Sequence, residues 1–189
     1  MIFLPLLRNP QRARIDAIYG AIVAQSRLPA FYRSYGVPDT PAGRFDMIVL
    51  HLTLLLRRLQ GAPNDVRSLG QKVFDRFCRD MDDNLREMGV GDLAVPKAMR
   101  RVAEAYYGRA RAYDQALAAE SPDALAAAVA RNVFGEHVAP PLGAVRLATY
   151  IRDAARHLAA AADDVLARGH LPFPDPEEVR LAAVEGAQT

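Results

Sequence analysis

The residues whose types and spacing suit chemistry are four aspartates on one stretch, Asp75, Asp80, Asp82 and Asp83. Carboxylates on adjacent helical turns can hold magnesium for a diphosphate substrate, as in all-helical isoprenoid synthases. That chemistry needs a second acidic cluster across a deep cavity. The remaining acids, such as Asp163-Asp164 and Glu177-Glu178, fall in a terminal helix and a tail. A solvated helix face, with Asp75–Arg79 and Asp82–Arg86 as i,i+4 pairs, accounts for the series. His51 stands in a strongly apolar stretch, five residues after Asp46. Acid-base work or haem ligation there would call for a second histidine at helical spacing, a nearby nucleophile or a His-Glu-x-x-His pattern, which the sequence lacks. A core histidine hydrogen-bonded to a neighbouring helix is the expectation. Cys78 has no base in sequence reach and reads as a small core residue. Gly89-Val90-Gly91 follows a helix and not a strand, which excludes a dinucleotide fingerprint. No catalytic residue, metal ligand or cofactor is predicted.

Composition narrows the class. The chain has 189 residues, 51% hydrophobic and 24% charged, which predicts one folded globular core. The net charge of +2 does not point to DNA, and the positive charges are arginines except for Lys72 and Lys97. Basic residues gather at Arg8, Arg12 and Arg14, and again at Lys97, Arg100, Arg101, Arg109 and Arg111, a pattern open to a solvated face, a ribosomal surface or an anionic membrane surface. A lone cysteine permits no intramolecular disulfide and no thiolate zinc site, so a reducing compartment is expected. Met1 to Leu7 is apolar but lacks the basic region and cleavage site of a secretory signal. Phe45 to Leu56 is the most apolar stretch and falls short of the roughly 20 residues of a membrane span. No membrane-spanning segment is expected.

The elements that must position these residues read as helices throughout. Asn9 as N-cap and Pro10 open the first helix, which ends near Arg27, and a short turn over Ala30 to Val37 closes at Gly36. Thr40 caps a helix from Pro41 to Gln60, apolar nearly all round and therefore central. A helix capped near Asn64-Asp65 runs to Gly89, with Gly70 a possible kink. Pro96 opens the next, where Gly108 predicts close packing by a neighbour. Ser121-Pro122-Asp123 starts a short helix to about Phe134, and a last helix after Pro140-Pro141 ends at Gly169, with Leu147, Ile151, Ala155, Leu158, Ala162 and Val165 inward. The prediction is all-α: a single irregular bundle of about seven helices over 1–169, followed by an extended or disordered proline-containing tail over 170–189.

Within this frame lie Tyr19-Gly20, Gln25-Ser26-Arg27, Phe31-Tyr32, Gly36 to Thr40, Gly43 to Met47 and His51. They are followed in order by Phe77, Asp80 to Asp82, Leu85 to Asp92, Val95 to Lys97 and Tyr107-Gly108-Arg109. From Tyr19 to Tyr113 the chain resembles the ubiquinol-cytochrome c chaperone family. The resemblance implies a non-enzymatic helical factor, cytoplasmic and at most peripheral to the inner membrane, that binds newly made cytochrome b and holds it until the subunit joins respiratory complex III. It further suggests a client-binding surface rimmed by Tyr32, Asp39, Arg44, Asp46, Asp80, Asp82, Arg86, Asp92 and Lys97, although internal ion pairs and caps fit the same residues. Met47, Met81 and Met88 join that set as adaptable apolar contacts, with core filling as the alternative. Two other functions stay open, a membrane-surface or ribosome-associated adaptor and a magnesium-dependent enzyme on an isoprenoid-like lipid.

Overall fold

The computed structural model describes residues 10–119, 121–135 and 141–179. Asn9, the Met1 to Leu7 start, Arg8, Pro140 and the tail beyond 179 lie outside them. Among the described residues there is no strand. The order is α1 (Pro10–Ser26), α2 (Pro29–Arg33), α3 (Pro41–Gln60), α4 (Asn64–Glu87), α5 (Val95–Ala118), α6 (Pro122–Val129), α7 (Leu142–Ala160) and α8 (Asp163–Ala167), with a π-helical turn at Ala130–Phe134 after α6.

Local chemistry sets most of these boundaries. Thr40 is extended and its Oγ1 accepts the Gly43 N–H at 3.1 Å, while Ser121 Oγ accepts from Ala124 N–H at 3.3 Å, so each supplies a partner for an N-terminal amide that the helix leaves unpaired. Gly89, at φ 84°, ends α4: its N–H reaches Arg86 O and the Val90 N–H reaches Leu85 O, a pairing that needs the left-handed residue between. The α3 helix packs against α1, α4, α5 and α7, which explains its apolar circumference. Ile22, Phe31, Met47, Val49, Leu50 and Leu52 are completely buried. Each such side chain contributes about 1.5–3 kcal/mol of transfer free energy, so α3 and what surrounds it form the stabilising centre.

Four expectations need correction. The last helix is two: Ala161 and Ala162 are extended, so the chain changes direction, Leu166 turns inward, Val165 is half-buried and Ala162 is exposed. Arg58 holds the break, donating to Leu158 O at 3.0 Å, Ala161 O at 2.8 Å and Asp163 Oδ1 at 2.8 Å. Those contacts satisfy carbonyls that the end of α7 leaves open. Gly70 does not interrupt α4; a Cβ there would stand 3.2 Å from Leu56 Cδ2, so this glycine lets α3 and α4 approach. Gly108 is exposed with nothing within 4 Å of a Cβ, because Tyr106 and Tyr113 set the inward face of α5. The cap near Asn64-Asp65 is also absent: Pro63 precedes α4 without a capping side chain.

After α8 the chain packs back on the bundle. Residues 170–175 belong to no helix, with the Phe173 N–H turning back to Leu171 O at 2.8 Å, and a helical turn covers 176–179. Phe173 stacks edge-on against His51 at 5.0 Å, Tyr35 Oη donates to Pro176 O at 2.6 Å, and Val179 is buried. These contacts offset the ordering cost of the segment, about 1–2 kcal/mol per residue of backbone.

Candidate functional site

The residues singled out in the sequence occupy several places. Met47 is completely buried and Asp46 nearly so. Asp46 pairs with Arg109 of α5 at 2.8 Å, and the guanidinium also lies 5.7 Å from the centre of the Phe45 ring. Burial raises the Asp46 carboxyl to about 6 against the opposing pull of Arg109. Asp80 joins α1 to α4: it accepts the Tyr19 hydroxyl at 2.9 Å and an Arg76 guanidinium N–H at 3.4 Å. Arg76 also reaches Asp16 at 2.9 Å and lies over the Tyr19 ring at 5.1 Å. In this conformation Asp46, Met47 and Asp80 serve the frame, and Met81 is partly buried against the core.

Two groups of predicted residues are open to solvent. Tyr32, Asp39 and Arg44 line a cleft of about 370 Å³ with Arg27, Pro29 and Arg33. Arg44 binds Asp39 at 2.7 Å, and Tyr32 donates to Ser26 O at 2.8 Å, which fixes the phenol at the cleft wall. At the α4–α5 turn Arg86 bridges Asp82, at 2.6 Å, and Asp92. Met88 is 74% exposed beside them, Leu93 projects fully into solvent, and Lys97 is exposed on the first turn of α5. Asp82, with Asp83, Cys78, Arg79 and Met99, also lines a shallow hollow of about 350 Å³.

The acidic series does not converge. Asp75 accepts from Gln71 at 2.8 Å and not from the expected Arg79, Asp80 faces Tyr19 and Arg76, and Asp82 holds Arg86. Among the described residues, no three His, Cys, Asp or Glu side chains stand where one metal ion would bridge them. Burial, then the charge of Asp75, pushes the Cys78 thiol up, away from thiolate chemistry.

His51 is the core histidine expected. Its Nδ1–H donates to Met47 O at 2.8 Å, and its Nε2 accepts from Tyr150 Oη at 2.9 Å. The Gln25 amide donates to Tyr150 Oη and to Pro174 O, both at 3.0 Å. Donor and acceptor roles thus alternate consistently from α1 through α7 to α3, and the chain of bonds also ties down the segment after α8. Burial holds His51 neutral, lowering its pKa to about 4.

The sequence did not reveal a groove of mixed lining across α3, α4 and α5, in which Gln60, Asn64, Arg67, Ser68 and Gln71 border an apolar floor. Leu56, Leu59, Gly70, Phe74, Tyr106 and Tyr107 contribute to a hollow of about 560 Å³. A second hollow of about 310 Å³ shares Leu56, Gln60, Tyr106 and Tyr107 with it and adds Arg57, Arg111 and Asp114. Phe74 lies 4.8 Å from the Tyr106 ring and 6.0 Å from that of Tyr107, which is 61% exposed. Consecutive tyrosines on a helix point about 100° apart, so with Tyr106 inward Tyr107 had to leave the core. That was the available signal.

The ubiquinol-cytochrome C chaperone family model matches residues 33–173. The match starts later than the resemblance read from the sequence and continues beyond it through α7, α8 and into the segment after α8. None of the functionally curated proteins compared matches the chain. The crystal structure of the Cbp3 homolog from Brucella abortus is similar, with 38% identity, a TM-score of 0.81, and coverage of 89% of this chain and 92% of that one. No helix among the described residues is long and apolar enough to cross a membrane. By the extent of the family match, and by a structural likeness running nearly the whole length of both chains, this protein belongs to the ubiquinol-cytochrome c chaperone family.

Proposed function

We propose that the protein is a non-enzymatic assembly chaperone that binds newly synthesised cytochrome b and promotes its entry into complex III. The observation that carries this reading is the family match over residues 33–173. The surface is consistent with it: holding an unassembled membrane protein needs exposed apolar side chains beside polar ones that grip without reacting. Tyr107, Met88 and Leu93 supply the first, and the Asp39–Arg44 pair, the Asp82–Arg86–Asp92 bridge and Lys97 supply the second. In this reading Tyr32, Asp39, Arg44, Asp82, Arg86, Met88, Asp92 and Lys97 face the client, and Asp46, Met47, Asp80 and Met81 hold the helices that present them. The chaperone works on the cytoplasmic side, beside the inner membrane that receives its client.

Photo-crosslinkers placed at Arg44, Asp82 and Lys97 in growing cells test the proposal. Cytochrome b identified by mass spectrometry among the captured proteins is the expected result. Reproducible capture of ribosomal proteins or lipid alone would replace the chaperone with an adaptor.

A further inference from the structure

We infer that the groove between α3, α4 and α5 seats an apolar helical segment of the client that carries carboxylates, its acids facing Arg67 and Arg111. The inference rests on the chaperone reading and specifies the chemistry of what is held. The floor of Leu56, Phe74, Tyr106 and Tyr107 is concave and partly exposed. At about 560 Å³ the main hollow lies within the roughly 300–1,000 Å³ of ligand sites, room for a few large side chains and not for a whole helix. An amphipathic helix lays such side chains, spaced i, i+3 and i+4, into an apolar groove.

Charge selects among apolar occupants. The cations lining the two hollows are Arg57, Arg67 and Arg111, and the only carboxylate among the lining residues is Asp114. Arg57 already engages Asp114, at 3.2 Å. Arg67 donates to the neutral Asn64 amide oxygen, and Arg111 makes no ion pair among the described residues. Two guanidinium groups without a counter-charge therefore flank the apolar floor, one from α4 and one from α5. A purely apolar segment lying there would displace water from both without replacing its hydrogen bonds and a basic one would repel them, whereas a carboxylate-bearing one pairs with them.

The test is fluorescence anisotropy of the full chain with two synthetic leucine-rich helical peptides, identical except that two outward glutamates in one are lysines in the other. The glutamate peptide is expected to bind at least about tenfold more tightly at low salt, with the gap narrowing as salt rises. An Arg67→Glu/Arg111→Glu variant is expected to reverse the preference, and Tyr107→Ala to weaken the glutamate peptide several-fold; circular dichroism confirms that each variant folds, since all three side chains are at the surface. Equal affinity for both peptides overturns the inference, as does a glutamate preference unchanged by charge reversal. Concentration-dependent self-association abolished by Tyr107→Ala also overturns it, by assigning the groove to a second copy of this chain. If the charge-reversed variant crosslinks to cytochrome b in cells as the parent does, the groove assignment fails and the chaperone reading stands; if the parent captures no cytochrome b, the failure lies with that reading.

Discussion

His51 and Asp46 lie five residues apart on α3, and burial acts on them with opposite signs. His51 is held at about 4 against an ordinary 6.5, so its contribution to stability is complete above pH 6.5 and is lost as pH falls towards 4. Asp46 is raised from 3.8 to about 6, so its contribution is complete below pH 3.8 and is lost as pH rises through 6. The two effects mask each other in the parent protein. In urea titrations at about pH 5 and pH 8, the stability gained on going to the higher pH is expected to fall in His51→Gln and to rise in Asp46→Asn, each by on the order of 1–2 kcal/mol. The same difference in the parent and both variants would contradict the assignment. That His51 belongs to the core was readable from its apolar neighbours. Its partner Tyr150 was not, because 99 residues separate the two and no local pattern encodes such a contact.

Helix boundaries were legible where the cause is local. Thr40, Ser121 and Gly89 act through their own backbone or the next turn, and the structure places each at an element's end, whereas α2 stops at Arg33, short of the expected Gly36. The role of a glycine inside a helix was not legible, since it depends on what crosses there. Gly108 faces open space, whereas a Cβ on Gly143 of α7 would stand 2.1 Å from Tyr35 O. Gly108→Ala is therefore expected to stabilise the protein by about 0.5–1 kcal/mol, by removing unfolded-state freedom at an exposed helical position. Gly143→Ala is expected to destabilise it by about 1–3 kcal/mol or more, because a backbone oxygen cannot move aside as a side chain can. Thermal or urea unfolding of both variants measures this, and a loss in Gly108→Ala would mean that a neighbour crosses α5 after all. The break between α7 and α8 escaped sequence reading for a similar reason: alanines favour helix on both sides, and the Arg58 contacts that support the turn come from α3.

For the molecule as a whole, periodicity and capping were enough to give the all-helical bundle with α3 at its centre. The division between frame and surface was not recoverable, since exposed and buried members of the matched motifs look alike in sequence. Asp46 and Asp82 each precede or follow an arginine at plausible distance, yet one is inside against Arg109 and the other is half-exposed beside Arg86. The groove likewise draws on three helices, and only Tyr107 hinted at it. A chaperone is defined by what it holds, and for how long. The most direct measurement is pulse-labelling of growing cells, followed by affinity capture of the tagged full chain at successive times of chase. Labelled cytochrome b is expected in the capture at the end of the pulse and is expected to leave as it appears in complex III. Absence of labelled cytochrome b at every time, while complex III assembles at its usual rate in cells lacking the protein, would contradict it.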